Sequence, residues 1–275
     1  MIDVKIILDS SANMAEEPHV SSVPLKIITD RKEYIDDANL NITEMVWQLQ
    51  TYTGPSSTAC PSPQDWLDRF DDKPYVFCIA ITSGLSGSCN AAMIAKADYE
   101  AQFPGRKVCV IDSLSTGGEM ELIAEKIQEL IAADLSFEDI CEKIKDYQKS
   151  TGLLFMLESL QNLANNGRVS KIVAKAAGIL GIRLVGKASD VGTLEPLEKC
   201  RGEKKALASL LKRMVDQGYE GGKVRISHCL NEAAAKQFRE NVLALYPAAD
   251  ITIRPTGGLC SFYAEKGGLL IGFEK

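Results

Sequence analysis

Tyr75-Val76-Phe77-Cys78-Ile79-Ala80-Ile81 runs directly into Thr82-Ser83-Gly84-Leu85-Ser86-Gly87-Ser88 and then into an alanine-rich stretch from Cys89 to Glu100. The apolar run, rich in β-branched and aromatic residues, reads as a buried strand, and the alanine-rich stretch reads as a helix. The same order of strand, polar turn and helix recurs on either side. Upstream, Val4-Lys5-Ile6-Ile7-Leu8 ends at Asp9-Ser10-Ser11. Downstream, Val108-Cys109-Val110-Ile111 ends at Asp112-Ser113, and Gly117-Gly118 opens a helix with Met120, Ile123, Ile127 and Leu130 at helical spacing. Ser136 caps the next helix, with Phe137, Ile140, Cys141, Ile144 and Tyr147 on one face. Val23–Ile28 is expected to be a further strand with Pro24 near its start, where a missing N–H is tolerated. Asn41 caps a helix whose third residue is Glu44. Ser56–Pro63 reads as a polar loop, and Ser62 then caps a helix with Pro63 at its first position. This alternation over about the first 150 residues predicts a parallel sheet with helices on both faces, its ligand site beyond the strand C-termini.

The second half reads differently. Leu153–Leu157 is a predicted strand, Glu158–Ala164 a short helix, and Lys171–Leu180 a further helix. Ile182–Val185 and Thr193–Glu198 are strands joined through Ser189-Asp190-Val191-Gly192, a hairpin signal. Helix Glu203–Val215, strand Val224–Ser227, helix Glu232–Leu245, strand Ile251–Arg254 and strand Leu269–Phe273 complete the chain. The fold class is therefore α/β, with a parallel-sheet domain over 1–156 and an α+β domain with a mixed or antiparallel sheet over 157–275.

Composition narrows the function. The 275 residues are 45% hydrophobic and 25% charged, which excludes a disordered chain. No apolar stretch approaches the roughly 18–20 residues of a membrane span. Met1–Ser10 lacks the basic start, apolar block and cleavage site of a signal peptide, so a cytoplasmic setting is expected. A net charge of −6, from 31 basic and 37 acidic residues, argues against a nucleic-acid binder. The 8 cysteines are scattered, without the CxxC spacing of zinc or redox sites. With only His19 and His228 as imidazole ligands, no metal site and no cofactor are expected.

Thr82–Ser88 is the most informative stretch for chemistry. Gly84 lets the backbone approach a ligand, Ser83 and Ser86 supply neutral donors, and the first N–H groups of the following helix are unpaired. Together they form a cradle for a carboxylate or phosphate; an ordinary helix cap is the equal alternative. Asp9-Ser10-Ser11, Thr58 in its proline-flanked loop, and Asp112-Ser113 with Ser115 would join Ser86 at one rim if the strands are parallel. Asp9 and Asp112 are expected to accept loop N–H bonds rather than touch a ligand. Gly84-Leu85-Ser86-Gly87-Ser88 lacks the second glycine of GxSxG, and His228 is the only downstream base, so a serine hydrolase or acyltransferase acting on lipid esters through Ser86 is the runner-up. Neither a GxxxxGK[ST] run nor a dinucleotide-binding fingerprint occurs.

Taken together, these motifs resemble the DegV family. Asp9-Ser10-Ser11, Thr58-Ala59-Cys60-Pro61-Ser62-Pro63, Thr82-Ser83-Gly84-Leu85-Ser86-Gly87 and Val110-Ile111-Asp112-Ser113 stand in that family's order and spacing. So do Leu157-Glu158-Ser159-Leu160 leading to Gly167-Arg168-Val169-Ser170, Lys199 and Arg201 before Lys204-Lys205, and Gly267-Gly268-Leu269-Leu270-Ile271-Gly272-Phe273. The resemblance covers essentially the whole chain. It implies a two-domain protein that binds a long-chain fatty acid in an apolar tunnel at the domain junction, with no catalytic turnover of its own. It also implies a partner, a separate fatty acid kinase that phosphorylates the bound carboxylate. Thr58 and Ser86 match the hydroxyls that hold the carboxylate; Arg168, Lys199 and Arg201 match a positive face for the kinase or the acyl phosphate. Where the family often has a head-group histidine this chain has Tyr263, which still offers a hydrogen bond. Glu265 replaces a family glycine and Cys60 a family glutamine.

The energetics suit such a ligand. Burial contributes roughly 0.8 kcal/mol per methylene, so about fifteen of them gross about 12 kcal/mol before binding costs. Head-group bonds of about 1–3 kcal/mol each set orientation. Ile27, Phe77, Ile79, Ile94, Phe155, Leu157, Leu160 and Leu163 are candidates for the lining, and each is equally a candidate for plain core.

Overall fold

The computed structural model describes residues 3–170 and 181–275; the helix expected over Lys171–Leu180 lies outside them. Strands β1 (Val4–Asp9), β2 (Val20–Val23), β6 (Tyr75–Ala80) and β7 (Lys107–Asp112) form a parallel sheet in the order β2-β1-β6-β7. Alternate residues of its strands point to opposite faces, and both faces are covered. On one, α4 (Gly118–Ala132) and α5 (Phe137–Tyr147) bury Met120, Ile123, Ile127, Ile140 and Ile144 against Ile6, Leu8, Phe77 and Ile79. On the other, α2 (Pro63–Leu67) and α3 (Ser88–Gln102) set Trp66, Ala91, Ala92 and Ala95 against Ile7, Val76 and Cys78.

The second sheet is mixed and six-stranded. Strands β8 (Thr151–Leu157), β9 (Ile182–Ala188), β10 (Leu194–Arg201), β11 (Val224–His228), β12 (Ile251–Pro255) and β13 (Leu269–Glu274) lie in the order β10-β9-β8-β13-β11-β12. Only β11 and β12 pair in parallel. All of β8 is fully buried and belongs to this sheet, so a line drawn at 156/157 passes through its last residues. Helices α7 (Glu203–Asp216) and α8 (Glu232–Leu245) cover one face, where Leu207, Leu210 and Phe238 meet Leu154, Met156 and Val185.

Helix α4 lies between the two sheets. Its approach to the second one is close because two glycines face the contact. A Cβ on Gly118 would stand 2.1 Å from the Arg225 carbonyl oxygen, and one on Gly272 would stand 2.2 Å from the Glu119 nitrogen. Beyond these glycines the contact is ionic. Arg225, 3% exposed, donates from Nε to Glu125 Oε1 at 2.6 Å and from Nη2 to Oε2 at 2.8 Å. Arg254 donates to Glu121 at 2.9 Å, and Thr151 donates to Glu119 at 2.7 Å.

Three expectations need correction. Val23–Ile28 is not one strand: β2 ends at Val23 and β3 covers Lys26–Thr29. Pro24 has no N–H for a ladder, and Leu25 is bonded outside one, its N–H to Ser10 Oγ at 3.0 Å and its carbonyl to the Asp36 N–H at 2.9 Å. Ser56–Ala59 is a strand, β5, instead of part of a loop. With β4 (Glu33–Ile35) it flanks β3 in a small antiparallel sheet, so Thr58 pairs with Ile27 and stands outside the parallel sheet. Its serine-rich sequence has no apolar period; pairing alone makes it a strand. The sequence reading also missed α9 (Gly258–Ala264), a short helix carrying Tyr263.

The α4 contact predicts a large effect from one methyl group. Gly118→Ala should destabilise the protein by about 2–3 kcal/mol, seen as a lower urea midpoint at unchanged slope.

Candidate binding cavity

The turn after β6 is wound tightly. Leu85 and Ser86 N–H groups both reach the Thr82 carbonyl at 3.2 Å, and the Gly84 N–H donates to Thr82 Oγ1 at 3.1 Å. Two aspartates at the ends of β1 and β7 hold the surrounding loops, the role expected of them. Asp9, fully buried, accepts from the Ile81 N–H at 2.8 Å and from Ser88 Oγ at 2.7 Å. Burial pushes its carboxyl up, opposed by the bonds from Ser11, Ser88 and Ile81. Asp112 Oδ1 accepts from the N–H groups of Ser83 at 3.1 Å and Leu114 at 3.0 Å. Ser86 Oγ accepts the Ser88 N–H at 3.2 Å, which leaves the Ser86 proton free to turn to another acceptor.

A cavity of about 320 Å³ opens beside this turn, between the parallel sheet, the small sheet and the inner face of the mixed sheet. Its wall is mostly apolar: Leu25, Ile81, Leu85, Leu114, Leu153, Phe155, Leu157, Leu163, Leu194, Leu259 and Leu270. Thr58, Ser86, Tyr263 and Arg168 also line it. Thr58 Oγ1 and Tyr263 Oη are 2.7 Å apart, a hydrogen bond spanning 205 residues of sequence. The Arg168 guanidinium stands 5.9 Å from the Tyr263 ring centre and donates to the Leu85 carbonyl at 3.3 Å. Burial pushes the Tyr263 hydroxyl up, partly offset by the bond to Thr58 and the charge of Arg168. Among the described lining residues Arg168 is the one charged side chain, and none is a histidine or a carboxylate.

The predicted site residues divide accordingly. Thr58, Ser86, Tyr263 and Arg168 meet at the cavity. Ser83 and Gly84 are exposed and outside the lining. Gly84 instead packs under the 189–193 hairpin loop, where a Cβ would stand 2.9 Å from the Val191 carbonyl oxygen. Lys199 and Arg201 are exposed on β10, the edge strand, away from the lining. Of the proposed apolar lining, Phe155, Leu157 and Leu163 reach the cavity; Ile27, Phe77, Ile79 and Leu160 are core, and Ile94 is exposed on α3. The sequence reading missed Leu25, Leu114, Leu259 and Leu270; alternation and helical spacing mark burial but not which side of a wall a residue faces. His228 is outside the lining and accepts the Asn231 N–H at Nδ1 (3.3 Å), so the base required by the hydrolase reading is not beside Ser86. Among the described residues no cluster of three His, Cys, Asp or Glu side chains could hold a metal.

Residues 3–275 match a family model described as uncharacterised protein, DegV family. The chain belongs to the DegV family. A DegV domain-containing protein of Streptococcus pneumoniae is 45% identical over 98% of both chains. Among solved structures, a DegV family protein from Eubacterium eligens loaded with heptadecanoic acid is 44% identical, with a TM-score of 0.97 over 99% of each chain. The Streptococcus pneumoniae Fatty Acid Kinase B3 protein loaded with linoleic acid is also 44% identical, with a TM-score of 0.97 over 100% of this chain and 99% of that one. A Ruminococcus gnavus DegV protein, refined with vaccenic acid, matches at 28% identity and a TM-score of 0.92 over 99% of this chain and 100% of that one.

In this DegV protein the burial of Tyr263 has a spectroscopic consequence. An ordinary tyrosine is half ionised near pH 10. Since the Tyr263 phenolate is disfavoured, the ultraviolet difference between wild type and Tyr263→Phe at pH 10 should amount to clearly less than half a phenolate.

Proposed function

We propose that this protein is a carrier of long-chain fatty acids. It binds the acyl chain in the apolar cavity and holds the carboxylate at Thr58, Ser86 and Tyr263. The observation that carries this reading is the cavity itself, whose leucine-rich wall is interrupted by neutral hydroxyls, Thr58, Ser86 and Tyr263 among them, and by one guanidinium, with no carboxylate or histidine among its described residues. The acids bound by relatives at 44% identity support it.

The hydroxyl arithmetic suits an anion. Thr58 and Tyr263 own two protons and spend one on their mutual bond. The other proton, and that of Ser86, remain for a ligand oxygen. A carboxylate can thus be received without dismantling the pair. Arg168 adds attraction, while affinity comes from the buried methylenes at roughly 0.8 kcal/mol each. The protein then presents the bound carboxylate to a separate fatty acid kinase, Arg168 lying beside the head group and Lys199 and Arg201 on the surface that meets the kinase. The carrier needs no bound cofactor and performs no turnover itself.

Two measurements test this. Native mass spectrometry of delipidated protein given palmitic acid should show a one-to-one complex. Losing a hydrogen bond to a charged ligand costs about 1.5–3 kcal/mol, so Ser86→Ala should weaken palmitic acid roughly 10- to 100-fold. Methyl palmitate should change little; equal losses, or no complex with wild type, refute the reading. For the partner, Arg201→Glu should slow kinase-dependent phosphorylation of bound fatty acid while leaving the affinity for the free acid unchanged, and a parallel fall in both would place Arg201 at the wrong site.

A further inference from the structure

Asp36 does not line the cavity, yet it is bonded to α9, which bears one of the hydroxyls that meet there, and to Leu25, which leads into the strand pair bearing the other. We infer that Asp36 is the positioning residue for the Thr58–Tyr263 pair, an assignment that rests on the carrier reading above.

Asp36 is 5% exposed and follows β4. Its carboxylate uses both oxygens. Oδ1 accepts the Gly258 N–H, and Oδ2 accepts the Leu259 N–H at 2.9 Å and Ser10 Oγ at 2.8 Å. Gly258 and Leu259 are the first two residues of α9, and their N–H groups have no partner within the helix. A negative side chain at that end also meets the positive end of the helix dipole. Glycine keeps the approach close: a Cβ on Gly258 would stand 2.6 Å from Leu40 Cδ2 and 2.9 Å from Asp36 Oδ1, so either side chain would have to shift. One helical turn on from this anchor, α9 delivers Tyr263.

The opposite side of Asp36 carries Thr58. The Asp36 N–H donates to the Leu25 carbonyl at 2.9 Å, and Ser10 Oγ, itself bonded to Asp36, accepts the Leu25 N–H at 3.0 Å. Leu25 leads directly into β3, whose Ile27 pairs with Thr58 on β5. A single carboxylate therefore joins the strand pair bearing one hydroxyl to the helix bearing the other. The spacing of the pair is set from this joint, because neither α9, with seven residues, nor β5, with four, is long enough to fix its own position.

The test separates head-group recognition from general stability. Affinities of delipidated protein for palmitic acid and methyl palmitate are measured in wild type and Asp36→Asn, which keeps the side-chain shape but replaces one acceptor by a donor. The expected result is an acid-over-ester preference reduced about fivefold or more, with ester affinity within about twofold of wild type. In a Tyr263→Phe background the same substitution should change the preference by less than about twofold, since the pair it positions is already lost. If Asp36→Asn does not accumulate as folded protein, Ser10→Ala removes one bond to the carboxylate and should reduce the preference about threefold. Equal weakening of acid and ester overturns the assignment, as does an undiminished effect in Tyr263→Phe. Wild type without any preference for the acid overturns the carrier reading and this assignment together.

Discussion

Helix α4 has structure on both sides, and its two sides are made of different chemistry. Toward the parallel sheet it presents Met120, Ile123 and Ile127, an ordinary apolar stripe. Toward the mixed sheet it presents Gly118 and the carboxylates of Glu119, Glu121 and Glu125, which meet Thr151, Arg254 and Arg225. The ionic side makes the contact selective: paired at close range these groups are tolerated, but any other seating would leave a buried charge unmatched at a cost of about 3–5 kcal/mol. The glycines allow backbone to lie almost on backbone. Fixing α4 in this way fixes the distance between the sheets, and the cavity occupies what remains of that gap.

The cavity answers two opposed requirements. An acyl chain needs a large apolar surface kept open, whereas protein interiors normally close on such surfaces. Here the walls come from three separate sheets and from α9; the parallel sheet and the far face of the mixed sheet are already packed in cores of their own, so collapse would break contacts there. A carboxylate needs donors without an excess of buried charge. Neutral hydroxyls meet that need, and the 2.7 Å bond between Thr58 and Tyr263 keeps both polar atoms satisfied before a ligand arrives.

Much of the fold was legible because strands such as β1, β6, β8 and β13 are largely buried apolar runs and several helices carry side-chain caps. Asn41, Ser62 and Ser136 each accept the N–H of the third helical residue, as their positions suggested. Legibility failed where local sequence carries no period. Ser56–Ala59 is polar throughout and becomes a strand only by pairing with β3. Gly258–Ala264 opens on glycine and spans seven residues, and its helix is held by a carboxylate 222 positions earlier in the chain.

The same division runs through the candidate site. The sequence alone determined the chemistry: hydroxyls at strand ends, few imidazoles, enough apolar residues for a tunnel, and the family motifs in order. These are properties of residue type and spacing, which need no third dimension. Only the tertiary structure decided which groups share a space. It set Thr58 against Tyr263, turned Ser83, Lys199 and Arg201 outward, put Gly84 under a hairpin loop, and gave Asp36 two helix N–H groups to hold. Such proximities arise where sheets and helices distant in sequence pack together, and no local period encodes them.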